Sequence, residues 1–260
     1  MERAAVEIAY RDEGVTPYPE CWKLQQGIFD SLVAAKDGSR GEQGGGREST
    51  GSEGSDAGVA PKIGSETGTK GGAVPTLILC EHPHVYTLGK SGRAENLLMT
   101  EDFLHGVGAS VYRIDRGGDI TYHGPGQLVG YPVVDLEGLG LGLKEYVHLL
   151  EESVVETIAE FGIEGVRSEG ATGVWLRPET GKGWRKISAI GVRSSRYVTM
   201  HGFSLNVAPA MEYFTYINPC GFTDRGVTSI AAETGSDPGI GEVKRVYREK
   251  FQSVFNVRLL

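Results

Sequence analysis

Residues 185–207 read RKISAIGVRSSRYVTMHGFSLNV. Two runs inside this stretch, Lys186–Ser195 and His201–Val207, carry the branched and aromatic residues of strands. Only a short connection separates them. Outward from this pair, further strands are expected at Val6–Arg11, at the apolar run TLILC from Thr76, and at Ser110–Asp115, Leu128–Leu136 and Gly173–Leu176. Helical spacing predicts helices after Pro19 (Cys21, Leu24, Ile28, Leu32, Ala35), over Leu143–Phe161 and over Gly241–Phe255. Strands and helices interleave, yet several strands are joined by short turns. The expected fold is therefore α+β, a mixed β-sheet packed with helices on one side, rather than a doubly wound parallel sheet.

The chain has 260 residues and a formal charge of −8, which excludes an overall basic field for nucleic acid. No apolar run approaches the ~20 residues of a membrane span, and Met1–Gly14 has neither a signal-peptide core nor an Arg/Ser-rich amphipathic start. Three cysteines, Cys21, Cys80 and Cys220, are widely spaced and fit a reducing, cytoplasmic setting. Residues 37–75 are rich in Gly, Ser, Glu and Thr and bury too little apolar area to offset ordering entropy. They are predicted to be a disordered insertion in a single catalytic domain spanning 1–260.

Chemistry is expected at three places. Arg116-Gly-Gly-Asp-Ile-Thr-Tyr-His123-Gly-Pro-Gly-Gln127 is glycine-dense at a strand end. Such a loop offers backbone N–H groups, with Arg116, to a carbonyl or phosphate oxygen, or it is a hairpin needing glycine only for its turns. It matches neither standard nucleotide loop. Asn218-Pro-Cys220-Gly-Phe222 sets a thiol on a turn with Arg225 nearby to favour the thiolate; Cys21 and Cys80 sit in apolar runs and read as core. Lys186 opens an otherwise apolar strand, as an exposed strand-end charge or as the partner of a thiol whose pKa it lowers. Cys80-Glu-His-Pro-His84 resembles a ligand cluster, but Pro83 interrupts it and no second cluster exists, so no metal is expected. Ser204 lacks the second glycine of a nucleophile elbow.

Four blocks, EHPHVYTLGKSG (Glu81–Gly92), RGGDITYHGPGQLVGYPVVDL (Arg116–Leu136), RKISAIGVRSSRYVTMHGFSLNV (Arg185–Val207) and INPCGFTDRGVTSI (Ile217–Ile230), together resemble the signature of lipoyl(octanoyl) transferases. The resemblance spans most of the chain outside the insertion. It implies a biotin/lipoate ligase-like, class II synthetase-like domain. It implies that Cys220 carries an acyl thioester tuned by Lys186. It also implies a substrate pocket formed by Arg116, Gly117, Gly118, Asp119, Ile120, Thr121, Tyr122 and His123, by Ala189, Ile190 and Gly191, and by Gly202, Phe203 and Ser204. The implied donor is octanoyl on acyl carrier protein. The implied acceptors are lipoyl domains of 2-oxoacid dehydrogenase E2 subunits and the glycine cleavage H protein, with no metal, no further cofactor, no nucleic acid and no membrane. The alternative on the same fold is an ATP-dependent lipoate or biotin protein ligase. For docking acidic partners, two basic clusters are expected: Lys90, Arg93, Arg113 and Arg116, and the acid-free stretch Arg185, Lys186, Arg193 and Arg196.

Overall fold

The structure is a computed structural model and describes residues 5–41, 73–168, 170–218 and 225–260. In chain order its elements are β1 (Val6–Val15), α1 (Tyr18–Gly41), β2 (Thr76–Glu81), β3 (Val85–Leu88), α2 (Glu101–Gly106), β4 (Ser110–Arg113), β5 (Ile120–His123), β6 (Gln127–Val133) and α3 (Leu136–Leu139). Then come α4 (Leu143–Ala159), β7 (Val166–Ser168), β8 (Ala171–Leu176), β9 (Arg185–Ser195), β10 (Val198–Asn206), β11 (Gly226–Val227), α5 (Ile230–Thr234), α6 (Ile240–Phe255) and β12 (Val257–Leu259). The large sheet runs β12-β1-β2-β6-β10-β9-β8-β7, with β11 added beside β9. A small sheet, β4-β3-β5, stands apart from it. Both sheets are mixed: β1 pairs parallel with β2 and β12, β3 parallel with β4, and the run from β2 to β7 is antiparallel.

The β9–β10 hairpin closes on two residues, Arg196 and Tyr197, both with positive φ (51° and 64°). This is the turn whose twist matches paired strands. It lacks the usual Asn-Gly or Asp-Gly, so the sequence signals a longer connection and a strand starting at His201, whereas β10 begins at Val198.

Helices cover both faces of the large sheet, which corrects the one-sided expectation. Along β2, Leu77 and Leu79 face the core shared with α4 and α6, while Ile78 and Cys80 face α1. All four are fully buried. From Leu77 to Cys80 the strand is apolar at every position because neither of its faces meets water. Each such side chain contributes roughly 1.5–3 kcal/mol. Residues 42–72 of the expected insertion lie outside the described residues. Its edges are ordered: α1 continues through Asp37–Gly41, Ala73 packs beside Phe29 and Leu32, and the Pro75 carbonyl accepts from Ala9 N at 2.8 Å. Among the described residues no helix is long and apolar enough to cross a membrane.

Glycine sets the spacing of β6 and β10. A Cβ on Gly202 would stand 2.2 Å from the Gly130 carbonyl oxygen and 2.8 Å from Pro132 Cδ, so backbone would have to move. Gly202→Ala is expected to lower stability by about 1–3 kcal/mol in chemical denaturation, the range for overpacking a close-packed interior.

Candidate active site

On the α1 face of the large sheet, beyond the start of that helix, lies a cavity of about 520 Å³. Its floor is built from small residues. Val129, Ser204 and Ala189 stand in one row across β6, β10 and β9, and Gly202 pairs with Gly191 beside them. Small side chains on three adjacent strands leave the volume that larger ones would fill. The Arg116–Gly118 loop forms the opposite wall. Gly117 N donates to the Val192 carbonyl at 2.9 Å, and a Cβ on Gly191 would come within 2.8 Å of the Gly117 oxygen. The loop glycines are thus required for backbone-to-backbone contact with β9.

Arg116, Gly117, Gly118, Asp119, Ile120, Thr121, His123, Lys186, Ala189, Ile190, Gly191, Gly202, Phe203 and Ser204 all line this cavity. Tyr122 does not. Its hydroxyl meets His84 Nδ1 at 2.7 Å, and its ring packs on Tyr86, Tyr213 and Phe214 in the core of the small sheet. Alternation along β5 turns it away from its neighbours Thr121 and His123. The ring of Phe203 packs on Tyr247 in the main core, at 4.5 Å between centroids. Cys220 lies outside the described residues, as do its neighbours at 219 and 221–224.

Several of these side chains position others. The Arg116 guanidinium donates to the Thr87 carbonyl at 2.7 Å and to Thr87 Oγ1, tying the loop to β3. Asp119 accepts from Ile120 N (2.8 Å) and Arg93 N (3.1 Å) and from the Asn96 amide, while the Asn96 carbonyl accepts from Asn218 N at 2.8 Å. The chain is therefore anchored immediately before residue 219. It is anchored again after 224: Thr228 N donates to the Lys186 carbonyl at 2.9 Å.

Lys186 extends from the end of β9 over the indole of Trp175, with Nζ 4.5 Å from the ring centroid. It also donates to the Thr172 carbonyl at 3.3 Å. The Arg225 guanidinium stands 5.1 Å from the same indole and reaches Ser168 Oγ. Gly173, with φ 122°, makes this close packing possible: a Cβ there would lie 2.5 Å from the Ser188 carbonyl oxygen. Glu151 of α4 fixes that backbone by accepting from Gly173 N at 2.9 Å. Trp175 carries no mark in the sequence beyond its place in an apolar strand. The glycine two residues before it is the available signal.

An amide relay crosses the floor. Gln127 Nε2 donates to the Tyr122 carbonyl and to Asn206 Oδ1, and Asn206 Nδ2 donates to the Thr228 carbonyl. Gln127 Oε1 must then accept, so His123 Nδ1, 2.7 Å away, carries the hydrogen. Burial first, then neighbouring His82, push the His123 pKa down to about 3. His82 is held near 4 by burial. His201 has φ 62° and is held by its backbone donor to Gln25 and by Asp115. Burial lowers its pKa against the opposing pull of Asp115.

Three cations of the second basic stretch, and Arg116 of the first, are taken up within the fold, whereas Lys90, Arg93 and Arg113 are exposed. Arg116 and Arg185 are buried, and Arg185 pairs with Glu233 (2.9 Å) and Glu179 (3.1 Å). Arg193 pairs with Asp115 and Arg196 with Asp37. A stretch free of acids in sequence is neutralised by acids brought from other elements.

Residues 66–252 match the lipoyl protein ligase A/B catalytic domain. An octanoyltransferase from Bacteroides fragilis is 50% identical over 239 residues, 92% of this chain and 94% of that one. The chain belongs to the octanoyltransferase family. A second relative of that name, from Christiangramia forsetii, is 43% identical over 97% of both chains. Among solved structures, a bipartite lipoate protein ligase from Thermoplasma acidophilum shares the fold, with a TM-score of 0.62 over 98% of this chain and 86% of that one at 14% identity. An ATP-bound lipoate-protein ligase A superposes with a TM-score of 0.57 at 17% identity, over 73% of this chain and 76% of that one. The expected biotin/lipoate ligase-like fold is thus the observed one.

His82 and His123 are neutral when folded, but on unfolding each regains an ordinary pKa near 6.5. The unfolded chain therefore binds more protons below that value, and stability falls with pH. Between pH 6 and 4.5 the slope from the two should approach about 2.7 kcal/mol per pH unit, with about 1.4 from each. His123→Gln should remove about one proton from the uptake measured by denaturation across this range.

Proposed function

We propose that this octanoyltransferase-family chain moves an octanoyl group from the phosphopantetheine thioester of acyl carrier protein to a lysine amine of a lipoyl domain, through a thioester on Cys220. The observation that carries the reading is the placement of Lys186 and Arg225 together on one indole at the wall of a small-residue cavity. From Lys186 to Gly191 the floor strand runs five residues, roughly 17 Å, which accommodates a medium-chain acyl group lengthwise. The apolar side chains of Val129 and Ala189 on the cavity floor suit an alkyl chain. Cys220 is tethered three residues from Ile217 and five from Arg225, and both line the same cavity. Peptide geometry limits the first tether to about 11 Å.

In the first half-reaction the Cys220 thiolate attacks the donor carbonyl. The tetrahedral oxyanion collapses, the pantetheine carbon–sulfur bond breaks, and the released thiolate takes a proton. In the second, the neutral lysine amine attacks the acyl-enzyme, an amide forms, and Cys220 leaves as thiolate while the amine proton passes to a base. Lys186 stabilises the thiolate in its ammonium form and serves proton transfer in both halves. Both acyl donors are thioesters, so ATP has no step to drive. The acceptors fitting this reading are lipoyl domains of 2-oxoacid dehydrogenases and the glycine cleavage H protein, and the setting is cytoplasmic.

Mixing the chain with octanoyl-acyl carrier protein, without ATP, should add one octanoyl mass to the intact protein. Cys220→Ser should show no adduct, and Lys186→Met should slow its formation by about 10²–10⁴-fold, the usual weight of a proton-transfer group. An undiminished adduct in Cys220→Ser, or an absolute need for ATP, would contradict the assignment.

A further inference from the structure

Behind the cavity wall, Cys21 of α1 meets Cys80 at the end of β2 and His82 just after it, and all three are at most 1% exposed. The sulfurs are 3.9 Å apart, and Cys80 Sγ is 3.6 Å from His82 Nε2. The three ligand atoms all lie within 4.8 Å of one another. Metal–sulfur bonds of about 2.3 Å and a metal–nitrogen bond of about 2.05 Å, at tetrahedral angles, give ligand edges of about 3.8 and 3.6 Å. Two measured edges therefore have the size that a single tetrahedral ion requires. The geometry points to a buried site for a thiophilic divalent ion of the zinc class, built from Cys21 Sγ, Cys80 Sγ and His82 Nε2.

The surroundings suit such an ion. His82 Nδ1 faces the Thr16 carbonyl at 2.6 Å, which places the hydrogen there and leaves Nε2 unprotonated, accepting from the Tyr131 hydroxyl at 2.8 Å and 3.6 Å from Cys80 Sγ. A carbonyl on the far ring nitrogen is the usual support of a metal-binding histidine. An ion taking the Nε2 lone pair would release the Tyr131 hydroxyl to donate to a thiolate instead. Two thiolates neutralise a divalent cation, so the filled site carries no net charge into a dry interior. Binding releases two thiol protons and joins α1 to β2 and β6. Tyr18 and Tyr131 pack on His82 and also line the cavity, so the ion fixes the wall that the acyl chain meets.

The test uses the full chain carrying Cys220→Ser, which leaves Cys21 and Cys80 as its two thiols, produced with cobalt(II) in the medium. The expected result is about one cobalt per folded chain, with the intense visible bands of a tetrahedral ion and a near-ultraviolet thiolate-to-cobalt band. Adding Cys21→Ser or Cys80→Ser should reduce the metal to background; elemental analysis of the chain produced with zinc alone should follow the same order. If a serine variant fails to fold, the parent's own spectrum decides. A folded parent with two reactive thiols on denaturation and no thiolate-to-cobalt band overturns the proposal, as does metal content unchanged by either serine.

Discussion

The contact on which the rest depends is backbone against backbone: the Gly117 amide on the Val192 carbonyl, with Gly191 beneath it. It joins the β4–β5 loop of the small sheet to β9 of the large one. A side chain at Gly191 would separate them. Once the two sheets are clamped there, the cavity lies between them, and its volume follows from Ala189, Gly202 and Ser204 being small. The same clamp sets β9 in place, so that Lys186 projects at one end of the floor, with Thr228 N bonded to its carbonyl.

Electrostatics then divide the labour. Most cations near the cavity are committed to structure: Arg116 to Thr87, Arg185 to Glu233 and Glu179, Arg193 to Asp115. The buried histidines are kept neutral by desolvation. Lys186 and Arg225 both stand over the indole of Trp175, a placement favoured by the attraction of a cation to an aromatic face.

The fold was legible where local pattern and tertiary role agree. The TLILC run, the helical spacing after Pro19 and the paired runs of 185–207 all became the elements they predict. What was not legible came from distance in sequence. The two-sided cover of the sheet was written in the unbroken apolar run of β2 but needed α1 to be placed. The hairpin at Arg196–Tyr197 uses positive φ without glycine, so its turn type is invisible. Lys186 was found from its place at a strand start, yet Trp175 and the Gln127–Asn206 relay were not, because only folding makes them neighbours. Cys21 read as core and Cys80 as half of a broken motif, and their approach to His82 depends on how α1 crosses β2. The stretch 185–196 misled for the converse reason, since the acidic partners of Arg185, Arg193 and Arg196 come from other segments.

The central claim is that the Lys186 charge lowers the pKa of Cys220. The most direct measurement is the rate of Cys220 alkylation by iodoacetamide against pH, in the unaltered chain and in Lys186→Met. The account predicts a thiol titrating well below the ordinary value of about 8.5 in the first, and a midpoint shifted upward by at least one pH unit in the second. Superimposable profiles for the two proteins would contradict it.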